Sequence, residues 1–98
     1  MSNKVPDTNV RSMEEERDYH SRYLRAINNP LRREILKALK EGSVTFSMLQ
    51  SKMELDENSL KWHLNILENG FCIKKERKNS ELFYKLTKEG LVIDYLQF

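Results

Sequence analysis

The chain has 98 residues, 33% of them charged, with 17 Lys and Arg against 15 Asp and Glu for a formal charge of +2. That length fits one domain with a small core, and so small a net charge does not by itself mark a nucleic-acid binder. The single cysteine, Cys72, excludes an internal disulfide framework; no run is apolar or long enough for a membrane-spanning helix and no apolar segment near Met1 suggests a secretory leader, so the cytoplasm is the expected address.

Residues 1–11 are polar, contain Pro6 and lack periodicity, which predicts a flexible tail before a domain over 12–98. Ser12 with Glu15 three residues on fits a capping box for a first helix. Tyr19, His20, Tyr23, Leu24 and Ile27 recur along one of its faces. Pro30 disfavours a helical residue before it, so this helix should stop near Asn28. Asn29 as N-cap and Pro30 as first helical residue start a second helix. Its inner stripe is Leu31, Ile35, Ala38 and Leu39, with Arg32, Arg33, Lys37 and Lys40 mostly outside, and Gly42 is placed to end it.

Ser43 and Val44 are expected as a short edge strand. A third helix runs from Thr45 or Phe46 to Met53, Glu54 and Leu55 make a turn, and Asp56 caps a fourth helix that ends at Asn69 before Gly70. Phe71 to Arg77 and Glu81 to Thr87 read as the strands of a hairpin, with Leu82, Tyr84 and Leu86 alternating onto one face. Lys78, Asn79 and Ser80 fill its tip, where Asn tolerates positive φ. Residues 71–90 carry six basic side chains, Lys74, Lys75, Arg77, Lys78, Lys85 and Lys88, against three acidic ones, Glu76, Glu81 and Glu89. Thr87 caps an apolar last helix over 88–98.

Two short helices joined by a tight turn and followed by a basic hairpin are the layout of a winged helix. The predicted fold is therefore mainly α with a small antiparallel β-hairpin, a winged helix-turn-helix of about five helices plus the wing. This order places helix 56–69 where it can enter a major groove and wing 71–87 where it can reach phosphates or the minor groove.

Three segments resemble a known family. Asn29-Pro30-Leu31-Arg32-Arg33-Glu34-Ile35-Leu36 resembles the second-helix signature of ArsR-like winged-helix repressors. Leu60-Lys61-Trp62-His63-Leu64-Asn65-Ile66-Leu67-Glu68-Asn69-Gly70-Phe71 resembles their recognition helix, and Phe83-Tyr84-Lys85-Leu86-Thr87-Lys88-Glu89-Gly90 their second wing strand and its exit. The resemblance covers residues 24–90. It implies a double-stranded DNA-binding transcription regulator, usually a homodimer built through the first and last helices. The chain departs from the family's metal sensors: Thr45-Phe46-Ser47-Met48-Leu49 stands where their third helix carries paired cysteines, and the last helix has no His.

On the fourth helix, Leu60, His63, Leu64 and Leu67 fall on one side and Asn58, Lys61, Trp62, Asn65 and Asn69 on the other. Asn matches adenine edges, and Lys matches guanine or phosphate. The expected DNA-binding set is Asn58, Ser59, Lys61, Trp62 and Asn65 from this helix and Lys75, Arg77, Lys78, Asn79 and Lys85 from the wing. The ordinary alternatives are a solvated helix face and edge-protecting lysines. Trp62 has two readings: contact with the DNA backbone or a base methyl, and packing on the wing or on Ile66, which is the reading preferred here. His63 reads as a half-buried, satisfied histidine, and Cys72 as a small buried apolar residue.

The last helix has two apolar rows, Leu91 with Tyr95 and Val92 with Leu96. One can face the core and the other a partner. Tyr19, Tyr23, Ile27, Leu91, Tyr95 and Phe98 form the expected dimer interface. Two distant histidines and one cysteine do not make a zinc site. No cofactor or metal is expected, and the chain carries no catalytic motif, which argues against an enzyme. The alternative function is a protein-interaction winged helix in a larger assembly.

Overall fold

The computed structural model describes residues 12–95. Four helices, α1 (Met13–Ile27), α2 (Pro30–Leu39), α3 (Phe46–Met53) and α4 (Glu57–Asn69), pack with three strands, β1 (Val44–Thr45), β2 (Ile73–Lys78) and β3 (Glu81–Leu86). The sheet is antiparallel in the order β1-β3-β2. The expected two-stranded hairpin thus gains β1 as a third strand, with Val44 opposite Tyr84 and Thr45 opposite Phe83.

The helix starts follow their caps. The Ser12 hydroxyl accepts the Glu15 N–H at 3.1 Å and the Glu15 carboxylate accepts the Ser12 N–H at 2.7 Å, completing the capping box of α1. The Asn29 side chain accepts the N–H groups of Leu31 and Arg32, with Pro30 in the first turn. Thr45 belongs to β1 and also caps α3 through the Met48 N–H. Asp56 caps α4 through the Ser59 N–H.

The end of α1 is held differently. An α-helix leaves its last four carbonyls without intrahelical partners. Here Leu24 O accepts from Asn28 N–H, Arg25 O from Arg32 Nη2 at 2.8 Å, Ala26 O from Arg32 Nε at 3.0 Å and Ile27 O from Arg33 Nη1 at 2.9 Å. Arg32 is therefore not an outer residue of α2 as its place in the helical pattern predicts; it is buried, at 5% exposure. The guanidinium is tolerated there because its donors meet carbonyls at the negative end of a helix.

The core lies between the helices and the inner face of the sheet, with Ile35, Leu36, Leu39, Leu49, Leu60 and Leu67 fully enclosed. In α1 the inward residues are Tyr19, Tyr23, Ala26 and Ile27, whereas His20 and Leu24, expected on that face, are exposed. Where α4 ends, α1 comes so close that a Cβ on Gly70 would meet the Ala26 side chain and the Arg22 carbonyl. The left-handed conformation falls on the next residue, Phe71, at φ 68°. This delays β2 to Ile73, two residues later than the hydrophobic pattern predicts. The hairpin turns through Asn79 and Ser80, both at positive φ (51° and 67°), as a type I′ turn requires.

Among the described residues, a 3-10 segment over Glu89–Tyr95 stands where the last α-helix is expected, so the α-helices there number four rather than five. Its start is drawn against the sheet: the Thr87 hydroxyl donates to the Phe71 carbonyl and accepts the Gly90 N–H, and a Cβ on Gly90 would strike the Cys72 carbonyl. The i to i+3 bond from Leu91 N–H to Lys88 O tightens that turn. Ile93 anchors the segment in the core. The expectations for residues 1–11 and 96–98, including Phe98, lie outside the described residues.

Candidate nucleic-acid interface

Helices α3 and α4 meet at a short turn in which Glu54 takes the left-handed conformation, φ 56°. Leu55 then packs on the core and Asp56 opens α4. The two sides of α4 separate as their spacing predicts. Leu60, His63, Leu64, Ile66 and Leu67 are buried, and Asn58, Lys61, Trp62, Asn65 and Asn69 are exposed. Ser59 is half-buried in the first turn. Trp62 is not packed away: it stays 54% exposed.

The wing does not present its cations as one patch. Side chains alternate along a strand, and residues directly opposite one another share a face. Lys75 and Arg77 therefore lie on the face of Leu82, Tyr84 and Leu86, the face turned to α4, where Lys75 Nζ lies 3.5 Å from the Glu68 carboxylate. Lys78 and Lys85 lie on the opposite face with Glu76, at 3.5 and 3.9 Å. Asn79 stands exposed at the tip. On α4, Lys61 pairs with Glu57 at 2.9 Å, and that carboxylate raises the lysine's pKa.

Two residues outside the expected set shape this surface. Glu76 lies against Lys78 and Lys85, two of the three lysines on the outer face of the wing with Lys74; alternation along β2 places it on their face, but its charge-neutralising role needs the strand register. Arg32 holds α4 from below. Its Nη1 lies 3.1 Å from His63 Nδ1. A guanidinium has no acceptor, so Nδ1 must supply a lone pair and the imidazole proton sits on Nε2. Burial lowers the His63 pKa below 6.5, and the Arg32 charge lowers it further. Nothing in the helical spacing signals this pair; the only clue is an Arg immediately after the Asn29-Pro30-Leu31 cap.

Elsewhere, Cys72 is buried and desolvation pushes its thiol up to about 12, which fits a small core residue rather than a reactive thiolate. Tyr19 stacks on Phe71 at 4.3 Å, and its hydroxyl lies 3.3 Å from the Glu89 carboxylate. Tyr23 is half-buried against the core. Ile27 is 8% exposed within the chain's own core, and Leu91 is 46% exposed. Among the described residues no group of three or more His, Cys, Asp or Glu could hold a metal ion, and no helix is long and apolar enough to cross a membrane.

No family model matches the chain. Among solved structures it superimposes with a TM-score of 0.76 on the homodimeric winged helix-turn-helix DNA-binding domain, fragment 1–100, of a possible ArsR-family transcriptional regulator from Mycobacterium bovis. That match has 15% identity and covers 97% of this chain and 85% of the other. HlyU from Vibrio cholerae matches with a TM-score of 0.70 and 26% identity over 85% of this chain and 92% of its own. The transcriptional repressor SdpR of Bacillus subtilis is 36% identical over 62 residues, 63% of this chain and 69% of SdpR. The chain belongs to the ArsR-like family of winged-helix transcriptional regulators. SdpR is a transcriptional repressor and the Mycobacterium bovis protein a possible transcriptional regulator, not enzymes.

The His63–Arg32 contact makes stability depend on pH. The folded state depresses the His63 pKa, so the unfolded chain binds more protons just below pH 6.5. The contribution from neutral His63 is complete above 6.5 and is lost as pH falls through the lower folded value. Urea unfolding from about pH 7.5 to about pH 5 should show stability falling on the acid side. His63→Asn, which keeps an acceptor toward Arg32, should flatten that fall; an unchanged profile in this variant would assign the titration to another group.

Proposed function

We propose that this regulator binds duplex DNA sequence-specifically as a homodimer and represses transcription by occupying a promoter. The observation that carries the reading is one juxtaposition: the polar arc of α4, with Asn58, Lys61 and Asn65 exposed, lies beside the wing face that bears Lys75 and Arg77. A helix of this kind enters the major groove and meets base edges, while the wing cations meet phosphates. Repression is supported by the relation to SdpR, and the dimer by the homodimeric state of the Mycobacterium bovis domain. Leu24 and Leu91, at 56% and 46% exposure, are apolar surface on α1 and on the C-terminal segment that a second copy can cover.

The lysines of this surface are paired with carboxylates of the same chain, which lowers the attraction for bare phosphate. The same pairing suits a module that docks on another protein. Salt separates the two readings, because phosphate binding releases counterions and weakens steeply as salt rises.

Selection from a random duplex pool, followed by titration of the selected and a random duplex at two salt concentrations, tests the DNA reading. Asn65→Ala should narrow the gap between the two duplexes, by roughly 1–3 kcal/mol for a bidentate contact. Lys75→Ala should weaken both about equally and reduce the salt slope by up to about one. If neither variant alters affinity while the protein stays folded, the surface is not the DNA interface. The dimer is tested by sedimentation of a Leu24→Glu, Leu91→Glu double variant, which should be a folded monomer. A wild-type protein that is itself monomeric at about 100 μM would overturn this part.

A further inference from the structure

Trp62 is the large apolar residue of α4 that remains on its polar arc. The residue is more than half exposed, at 54%, between the exposed Lys61 and the buried His63 and one turn from Asn58 and Asn65. An indole left in water forgoes a large burial gain. What backs it is rigid: the His63 ring meets it edge-on at 5.0 Å, and the Arg32 guanidinium lies 5.9 Å from its centroid. Arg32 is in turn held by the Arg25 and Ala26 carbonyls and by His63. One side of the indole is therefore set against a fixed pair, and the remainder is offered outward, already oriented.

We propose that Trp62 is a specificity-determining residue that selects thymine through its 5-methyl group. The inference rests on the DNA reading above and deepens it. In the major groove the base edges present hydrogen-bond donors and acceptors, and the thymine methyl is the one apolar group among them. A pre-oriented ring surface rewards that methyl and leaves a polar edge at the same place desolvated without a partner. The neighbouring Asn58 and Asn65 suit adenine edges, so the helix as a whole is matched to an A·T-rich half-site.

The test replaces each thymine of the selected duplex, one at a time, by deoxyuridine, which removes only the methyl. Wild-type protein should bind one substituted position about fourfold more weakly, the value expected for one buried methyl-sized group. Trp62→Ala should bind the thymine and deoxyuridine duplexes equally at that position. Trp62→Gln provides a second variant with the ring replaced by a polar side chain, and circular dichroism confirms that each is folded. The proposal is overturned if no deoxyuridine substitution affects the wild type, or if both variants keep the wild-type sensitivity. It is also overturned if both variants weaken selected and random duplexes alike, which would make Trp62 a backbone contact. Failure of the DNA reading itself is distinct, because wild-type protein would then retain no duplex from the pool.

Discussion

The structure turns on a buried guanidinium. Arg32 has 5% of its surface exposed, in a chain with few apolar residues to spare. A charge in that position is costly unless its donors are met. Three of its five N–H donors are met, by the Arg25 and Ala26 carbonyls at the end of α1 and by the His63 lone pair on α4. One side chain on α2 thereby caps two carbonyls at the end of the first helix and reaches the fourth. Desolvation and the neighbouring Arg25 charge both lower the Arg32 pKa, yet a guanidinium stays protonated, so the link persists across the accessible pH range on the arginine side. Its weak point is the histidine, which serves only while neutral. Asn29 sets the whole arrangement by starting α2 with its side chain on the Leu31 and Arg32 N–H groups.

The charge pattern around α4 follows a different logic. Lys61, Lys75, Lys78 and Lys85 each lie within 4 Å of a carboxylate, the outer two sharing Glu76. Exposed pairs of this kind contribute little to stability. Their effect is on the field outside the protein, which the neighbouring carboxylates reduce at these four lysines. A phosphate backbone that approaches must exchange one anionic partner for another. Such exchange favours contacts that are geometrically right over contacts that are merely close, which is the condition the proposed base-edge reading by α4 would need.

Much of the fold is legible from local chemistry. The Ser12–Glu15 box, the Asn29 and Asp56 caps, the two sides of α4 and the positive φ at Asn79 all depend on residues close in sequence. The departures arise where distant segments meet. Arg32 is charged and reads as surface until the end of α1 is brought to it. Leu24 has the spacing of a core residue but falls beyond the inner stripe. The C-terminal segment has the apolar content of a helix, yet Thr87 and Gly90 tie its first turn to Phe71 and Cys72 and leave it 3-10. The candidate surface shows the same division. Periodicity picks out Asn58, Lys61, Trp62 and Asn65, but the split of the wing cations between two faces needs the register of β2 on β3, and Glu76 gains its role only from that register.

Arg32 ties the end of α1 to α4. Urea unfolding of Arg32→Met at neutral pH tests it most directly, because methionine keeps much of the apolar stem and removes every donor. The variant should lose about 2–3 kcal/mol, since the buried Ala26 carbonyl, the part-buried Arg25 carbonyl and one imidazole nitrogen are left without partners. A variant within about 0.5 kcal/mol of wild type, the range of an ordinary surface substitution, would contradict it.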